Sequence, residues 1–188
     1  MHSSTPEYQI RAPRPAETRL VDQLVNAAFA DSGSTVTNLV QQMRSLWRTD
    51  RGFELIASTS EGEVLGHIGF SRGYLDAPER LHHVLVLSPL AVQPSSQGRG
   101  IGSTLVRTGL QEATERGFDL VFLEGEPGFY PRLGFVPGGA AGFRKPSVRI
   151  PDAAFMVRHL TPVAESLSGT LIYPEIFWET DTVGLRDA

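Results

Sequence analysis

The chain has 188 residues, 40% of them hydrophobic, a formal net charge of −4 and no cysteine. This is enough apolar material for one ordinary domain core, and the missing thiols exclude disulfides, thiolate metal sites and a covalent cysteine intermediate. The charge argues against nucleic-acid binding through bulk electrostatics, Met1 to Pro15 has arginines and prolines but no apolar h-region, and no apolar run reaches the roughly 18 residues of a membrane span; the expectation is a cytoplasmic protein with no nucleic-acid or membrane partner.

Tyr8 to Arg11 predicts a short first strand, and Pro13 and Pro15 mark the turn into a helix over Ala16 to Ala30. Leu20, Leu24, Val25, Ala28 and Phe29 recur there at helical spacing, opposite Arg19, Asp22, Gln23 and Asn26. Val36, Leu39, Val40, Met43, Leu46 and Trp47 continue the pattern in a second helix, with Ser34 or Thr35 as N-cap. Phe53 to Ser58 and Val64 to Tyr74 form a predicted hairpin around Glu61-Gly62-Glu63. Trp47, Phe53, Phe70 and Tyr74 are candidates for an acceptor pocket, although aromatics at such positions are more often core.

His82 to Val92 is a further strand, interrupted by Ser88-Pro89, where a bulge or splayed edge is expected because proline cannot donate to a ladder. His82 and His83 place their rings on opposite faces of that strand and cannot chelate one metal together, so no metal site is expected there. Ile101, Leu105, Val106, Leu110 and Ala113 define a helix stopped at Gly117, and Leu120 to Leu123 reads as a strand covered on both faces. Strand, helix and strand in this order make a βαβ crossover with parallel neighbours. Gly128 to Phe135 predicts a short helical turn closed by glycine, and Ala153 to Leu160 a last core strand. The Gly-, Pro- and Arg-rich segment Val136 to Pro151, with Arg144, Lys145 and Arg149, reads as a mobile binding loop able to receive an acidic group, a solvated cluster being the plainer reading. Residues 1–160 are taken as one domain and 161–188 as a C-terminal extension packed on it.

Between the His82 strand and the Ile101 helix lies Gln97-Gly98-Arg99-Gly100-Ile101-Gly102. Glycines let bare backbone N–H groups approach an anion, and the helix that follows adds the positive end of its dipole, so this loop suits a pyrophosphate. The dinucleotide fingerprint fails, since the motif is late in the chain and its sixth position is Ser103; a nucleotide-phosphate loop fails for want of Gly-Lys-Ser/Thr.

Leu90-Ala91-Val92-Gln93-Pro94, then Gln97 to Gly102, then Tyr130 followed by Gly134-Phe135, together resemble the GCN5-related N-acetyltransferases (GNAT superfamily), and within them the YhbS-like bacterial acetyltransferases. The resemblance implies an α+β fold: a central mixed, mostly antiparallel sheet with a βαβ acetyl-CoA-binding core and helices on both faces. It implies acetyl-CoA as acyl donor, an amine acceptor and no metal. Cofactor contacts carried over are Leu90, Ala91 and Val92, with the backbone of Leu90 and Val92 pairing with the pantetheine amides, and Gln97, Gly98, Arg99, Gly100, Ile101, Gly102 and Ser103 around the pyrophosphate. Arg99 is taken to act through its backbone. Tyr130 matches the family's tyrosine, a general acid beside the sulfur. The family's asparagine on the preceding strand end has no counterpart between Leu120 and Tyr130. Glu124 and Glu126 are the visible bases, Glu124 being carried forward as catalytic, with a solvated loop carboxylate as the competing reading. The expected function is direct acetyl transfer to a primary amine of a small molecule or protein; the alternatives are a non-catalytic CoA-binding module and a longer-chain acyltransferase. A homodimer is possible on this reading.

Overall fold

The strand that carries the Ser88-Pro89 interruption runs through the middle of the sheet and is apolar on both faces. The computed structural model describes residues 8–184; the first seven residues of the Met1 to Pro15 stretch, and 185–188 at the end of the expected extension, lie outside the described residues. The elements are β1 (Gln9–Arg11), α1 (Thr18–Ala28), α2 (Gly33–Trp47), β2 (Gly52–Ser58), β3 (Val64–Asp76), β4 (Leu81–Val92), α3 (Ile101–Glu115), β5 (Leu120–Glu124), β6 (Val136–Pro137), β7 (Phe143–Arg144), β8 (Phe155–His159), β9 (Gly169–Ile172) and α4 (Glu175–Glu179). The sheet order is β1-β2-β3-β4-β5-β8-β6, with β9 paired to β3 and β7 paired to β9 off that path. Pairing is antiparallel except for β4–β5 and β7–β9, so the expected mixed, mostly antiparallel sheet with a βαβ crossover is what the chain forms.

Alternation along β4 divides the core. Leu85 and Leu87 pack with Leu105 and Val106 of α3 on one face, while Val84 and Val86 pack with Leu39 and Met43 of α2 on the other. Leu85, Leu105 and Leu39 are at most 1% exposed, and each such burial stabilises the fold by roughly 1.5–3 kcal/mol. Phe53 and Phe70 stack within this core at 4.7 Å between ring centroids, and Trp47 donates its indole N–H to the Phe70 carbonyl at 3.0 Å.

Several local expectations need correction. The first helix starts at Thr18 rather than Ala16, because Pro15–Glu17 forms a 3-10 turn in which the Glu17 carboxylate accepts the Arg14 N–H at 2.6 Å. Its buried stripe is Val21, Leu24 and Val25, and Leu20 is 43% exposed. The second helix begins at Gly33, with Ser32 rather than Ser34 or Thr35 before it. The segment Val136 to Pro151 is not a free loop: β6 pairs with β8, β7 pairs with β9, and Phe143 and Ile150 are buried among Phe122, Phe155 and Leu171. Nor is Phe155–His159 the last strand, since β9 follows it and adds to the edge of β3 through Tyr74↔Ile172, Leu75↔Leu171 and Asp76↔Thr170.

Candidate active site

The site begins where β4 and β5 part. They pair only at Leu85↔Val121 and Val86↔Phe122. Beyond that point β4 carries an extra residue against β3, since Ile68 opposes Leu90 while Phe70 opposes Leu87; this is the bulge expected at Ser88-Pro89. The N–H of Gln93 donates to the Leu65 carbonyl at 2.9 Å, so its backbone faces β3. By strand alternation the backbone groups of Ala91 face β3 as well, and those of Leu90 and Val92 face the open side. A cavity of about 1000 Å³ lies in the opening, with Leu87, Ser88, Pro89, Leu90 and Val92 along one wall.

The glycine loop closes one end of this cavity. Gly98 and Gly100 have φ of 75° and 82°, and Gly100 is the left-handed residue on which α3 starts; there a side chain would be strained although nothing crowds it. Thr104 donates its N–H to the Gly100 carbonyl at 3.0 Å. The amides of Ile101, Gly102 and Ser103 therefore precede the first bond within the helix, and they stand at the positive end of its dipole. Gln97, Gly98, Gly100, Ile101, Gly102 and Ser103 all line the cavity, and the Gln97 side chain ties the loop to the strand by donating to the Val92 carbonyl at 3.2 Å. Arg107 and Arg132 line the same cavity, Arg132 lying 4.7 Å over the ring of Phe129. An open strand edge, unused helix amides and two cations in one cavity fit a long phosphorylated thioester. Two of the sequence candidates are not on the wall: Arg99 is exposed outside it, and Ala91 turns its side chain into the core beside Val21, Val25 and Ile56.

Tyr130 and Glu124 reach the cavity from opposite faces of the sheet. Tyr130 opens the short helical turn Tyr130–Leu133, which Gly134 closes at φ 84°. Its ring packs with Leu123, Leu133 and Met156 on the α3 side and meets Phe129 and Phe135 edge-on at 4.9 and 5.5 Å. It fits only because residue 125 is glycine, since a Cβ there would lie 2.4 Å from the Tyr130 ring. Burial pushes the Tyr130 hydroxyl well above the usual phenol range, so it keeps its proton. Glu124 ends β5 two residues after Phe122, and so it lies on the α2 face where Phe122 packs with Leu39 and Tyr173. Both its carboxylate oxygens accept the N–H of Gly184, at 3.1 Å each. Burial, and secondarily the charge of Glu124, pushes the Tyr173 hydroxyl well above its ordinary value. Glu126, the other acid on the wall, is exposed and accepts the Gly128 N–H at 3.3 Å.

Other sequence candidates lie elsewhere. Arg144 donates to Thr170, Lys145 pairs with Asp152 and Arg149 pairs with Asp181, and none of the three lines the cavity. His83 stands edge-on to Tyr74, and among the described residues no group of three or more His, Asp or Glu side chains is placed to hold a metal. No helix of the described residues is long and apolar enough to cross a membrane. Sequence reasoning missed the walls formed by Phe29 just after α1, by Val36 and Leu39 of α2, and by Thr182 near the end of the described residues. It also missed Arg107, although its place one turn beyond Ser103 on α3 was a usable signal.

Known proteins share this arrangement. The acetyltransferase (GNAT) family model matches residues 21–135. Over 117 residues the chain is 40% identical to the uncharacterized N-acetyltransferase YjhQ of Escherichia coli (strain K12), covering 58% of this chain and 62% of that protein. The chain thus spans less than two thirds of the length of the curated relatives it matches. The structure of the GNAT family N-acetyltransferase YhbS from Escherichia coli in complex with CoA superposes with a TM-score of 0.81 at 27% identity, covering 94% of this chain and 96% of that one. A GNAT family acetyltransferase from Brucella melitensis in complex with acetyl-CoA gives a TM-score of 0.71 at 28% identity, covering 90% and 97%. With its family pattern on the divergent strands, the glycine loop and the βαβ crossover, the chain belongs to the GNAT family of acetyltransferases.

Proposed function

We propose that this chain transfers an acetyl group from acetyl-CoA to the nitrogen of a primary amine, by direct attack with donor and acceptor bound together. The observation that carries the reading is that one cavity holds an open strand edge, the free first-turn amides of α3 and a buried, protonated phenol. When bound, acetyl-CoA supplies the activated thioester. The amides of Ile101, Gly102 and Ser103 hold its pyrophosphate, the backbone of Leu90 and Val92 pairs with its pantetheine amides, and Arg107 and Arg132 face its phosphates. This sequence has no cysteine to take the acetyl group in transit.

Tyr130 acts beside the sulfur. A thiol has a pKa of about 8.5, below that of a buried phenol, so complete proton transfer from Tyr130 is uphill. A hydrogen bond to the charge that grows on sulfur, in a site shielded from water, is the favourable part of its role. Glu124 acts on the other side of the sheet. An alkylammonium has a pKa of about 10 and no lone pair, so it must first lose one proton to solvent to become the attacking amine. Glu124 draws in the ammonium and, once the neutral amine attacks, takes the second proton from nitrogen, directly or through water, as the N–C bond forms and nitrogen loses its basicity. The atoms balance: the ammonium gives one proton to solvent, the N–C bond forms, the C–S bond breaks, and the second nitrogen proton passes to Glu124 and on through solvent to the departing thiolate, which Tyr130 holds by a hydrogen bond. The deciding experiment follows CoA release with an amine panel and measures acetyl-CoA binding by calorimetry. Tyr130→Phe is expected to lower kcat by about 100-fold with binding intact; an unchanged kcat removes Tyr130 from this role.

A further inference from the structure

We infer, resting on the acetyl-CoA reading, that Arg107 selects the donor by its adenosine. It receives the ribose 3′-phosphate and so tells CoA from dephospho-CoA, while the pyrophosphate is left to the first-turn amides and Arg132. The order of the donor's parts follows from the cavity. With pantetheine along Leu90 and Val92 and the pyrophosphate at Ile101, Gly102 and Ser103, the adenosine has to continue beyond the first turn of α3. One side of that turn is occupied: the Phe129 ring lies 3.6 Å from where a Cβ of Gly102 would be, and Val92 and Leu90 lie there at 3.5 and 3.7 Å. The wall that remains is Ser103, Thr104 and Arg107, and Arg107 is about 140° round the helix from Gly102.

Arg107 suits a dianion at that place. It follows Ser103 by four residues and Thr104 by three on one face of α3, and helical side chains lean toward the N-terminus, so its guanidinium projects back over the turn that holds the pyrophosphate. Its charge is uncommitted. It is exposed, and among the described residues it makes no hydrogen bond or ion pair. Its helical neighbours Ser103, Thr104, Leu110 and Gln111 include no acid, and the acids on the cavity wall, Glu124 and Glu126, belong to β5 and the segment after it. Arg116, at the far end of α3, is the contrast, since it pairs with Glu112 at 2.8 Å and with Asp50 at 3.2 Å. Arg132 is placed differently: its guanidinium lies 4.7 Å over Phe129, on the Gly102 side from which the pantetheine arrives, and so it stands by the pyrophosphate. A phosphomonoester carries a charge of about −1.5 to −2 at pH 7, and the planar fork of an arginine matches two of its oxygens.

The test measures binding of CoA and of dephospho-CoA to the full chain by calorimetry. The wild-type chain is expected to bind CoA about tenfold more tightly than dephospho-CoA, and the difference is expected to narrow in about 1 M salt, where an exposed charge pair is screened. Arg107→Gln is expected to remove the difference by weakening CoA alone, with Tm unchanged because the side chain holds nothing in the fold, and Arg107→Lys to restore part of it. Arg132→Gln is expected to weaken both ligands by the same factor. Equal binding of the two ligands by the wild-type chain, a ratio unmoved in Arg107→Gln, or one that collapses in Arg132→Gln instead overturns the 3′-phosphate assignment and leaves the acetyl-CoA reading standing. Folded protein that binds neither CoA nor dephospho-CoA overturns the acetyl-CoA reading itself, and this inference with it.

Discussion

The backbone N–H of Gly184 donates to both carboxylate oxygens of Glu124, at 3.1 Å each, and so ties the end of the described chain to the tip of β5 across 60 residues. Gly184 has φ of 66°, and a Cβ there would lie 2.6 Å from the Cβ of Arg149 and 2.9 Å from its carbonyl carbon. Gly184→Ala therefore has to move the amide away from the carboxylate. A hydrogen bond to a charged group contributes about 1.5–3 kcal/mol, so kcat is expected to fall about tenfold or more while the Kd for acetyl-CoA stays the same. Steady-state kinetics beside calorimetry check this, and an unchanged kcat would mean that the tail does not orient Glu124.

Gly125 controls the other side of the reaction. Its N–H is held by the Ala154 carbonyl at 3.0 Å, so the backbone cannot easily retreat. A Cβ at this residue would stand 2.4 Å from Cε2 of Tyr130, and the ring must swing away to admit it. Gly125→Ala is expected to reproduce most of the loss in Tyr130→Phe, about 100-fold in kcat, because misplacement of an acid costs nearly as much as its removal. Combining the two substitutions should then add little. Full additivity in the double variant would show that Gly125 acts by another route.

Gly102 separates binding from folding. A Cβ there would meet Val92, Phe129 and Leu90 at 3.5–3.7 Å, which is ordinary contact, so Gly102→Ala should leave thermal stability nearly unchanged. The larger Gly102→Val side chain projects into the space the pyrophosphate needs beside the first-turn amides. Calorimetry is expected to show acetyl-CoA affinity reduced by about 100-fold or more, or roughly 2.7 kcal/mol, with the Tm close to that of the alanine variant. Undiminished affinity in the valine variant would place the pyrophosphate elsewhere.

The parts of this molecule that were legible in its sequence are those whose chemistry is local. The glycine loop, the proline that bulges β4 and the Tyr130 turn closed by Gly134 each state their geometry within a few residues. The α2 side of the cavity does not. Val36 and Leu39 are buried core residues with the same helical spacing as Val40 and Met43, and only the divergence of β4 from β5 brings the cavity up to them. Thr182 belongs to no motif and reaches the site because β9 pairs with β3 and returns the chain to β5. The Val136 to Pro151 segment misleads in the opposite sense, since its Gly and Pro content reads as mobile while Phe143 and Ile150 anchor it.

A pH experiment separates the structural carboxylate at the head of α1 from the site. Glu17 accepts two hydrogen bonds from the Arg11 guanidinium, at 2.8 and 2.6 Å, and one from the Arg14 N–H at 2.6 Å. The Arg11 hydrogen bond first, and then that from the Arg14 backbone, hold its carboxyl down to about 2. Because the folded value is depressed, the stabilisation is complete above the ordinary carboxylate value near 4.5 and is lost as pH falls through about 2. Glu17→Gln keeps an acceptor for Arg14 but loses the charge. Allowing for partial exposure of the pair, it should cost about 1–2 kcal/mol at pH 7, read from denaturant midpoints. The two proteins should converge between pH 4.5 and 2, whereas a constant difference across that window would mean the ionised pair does not stabilise the fold. The buried Tyr130 and Tyr173 hydroxyls act at the other extreme: their folded values are raised, so stability is flat below the ordinary phenol value of 10.0 and falls as pH rises beyond it. Tyr173→Phe should reduce that alkaline fall while leaving the acid limb set by Glu17 in place.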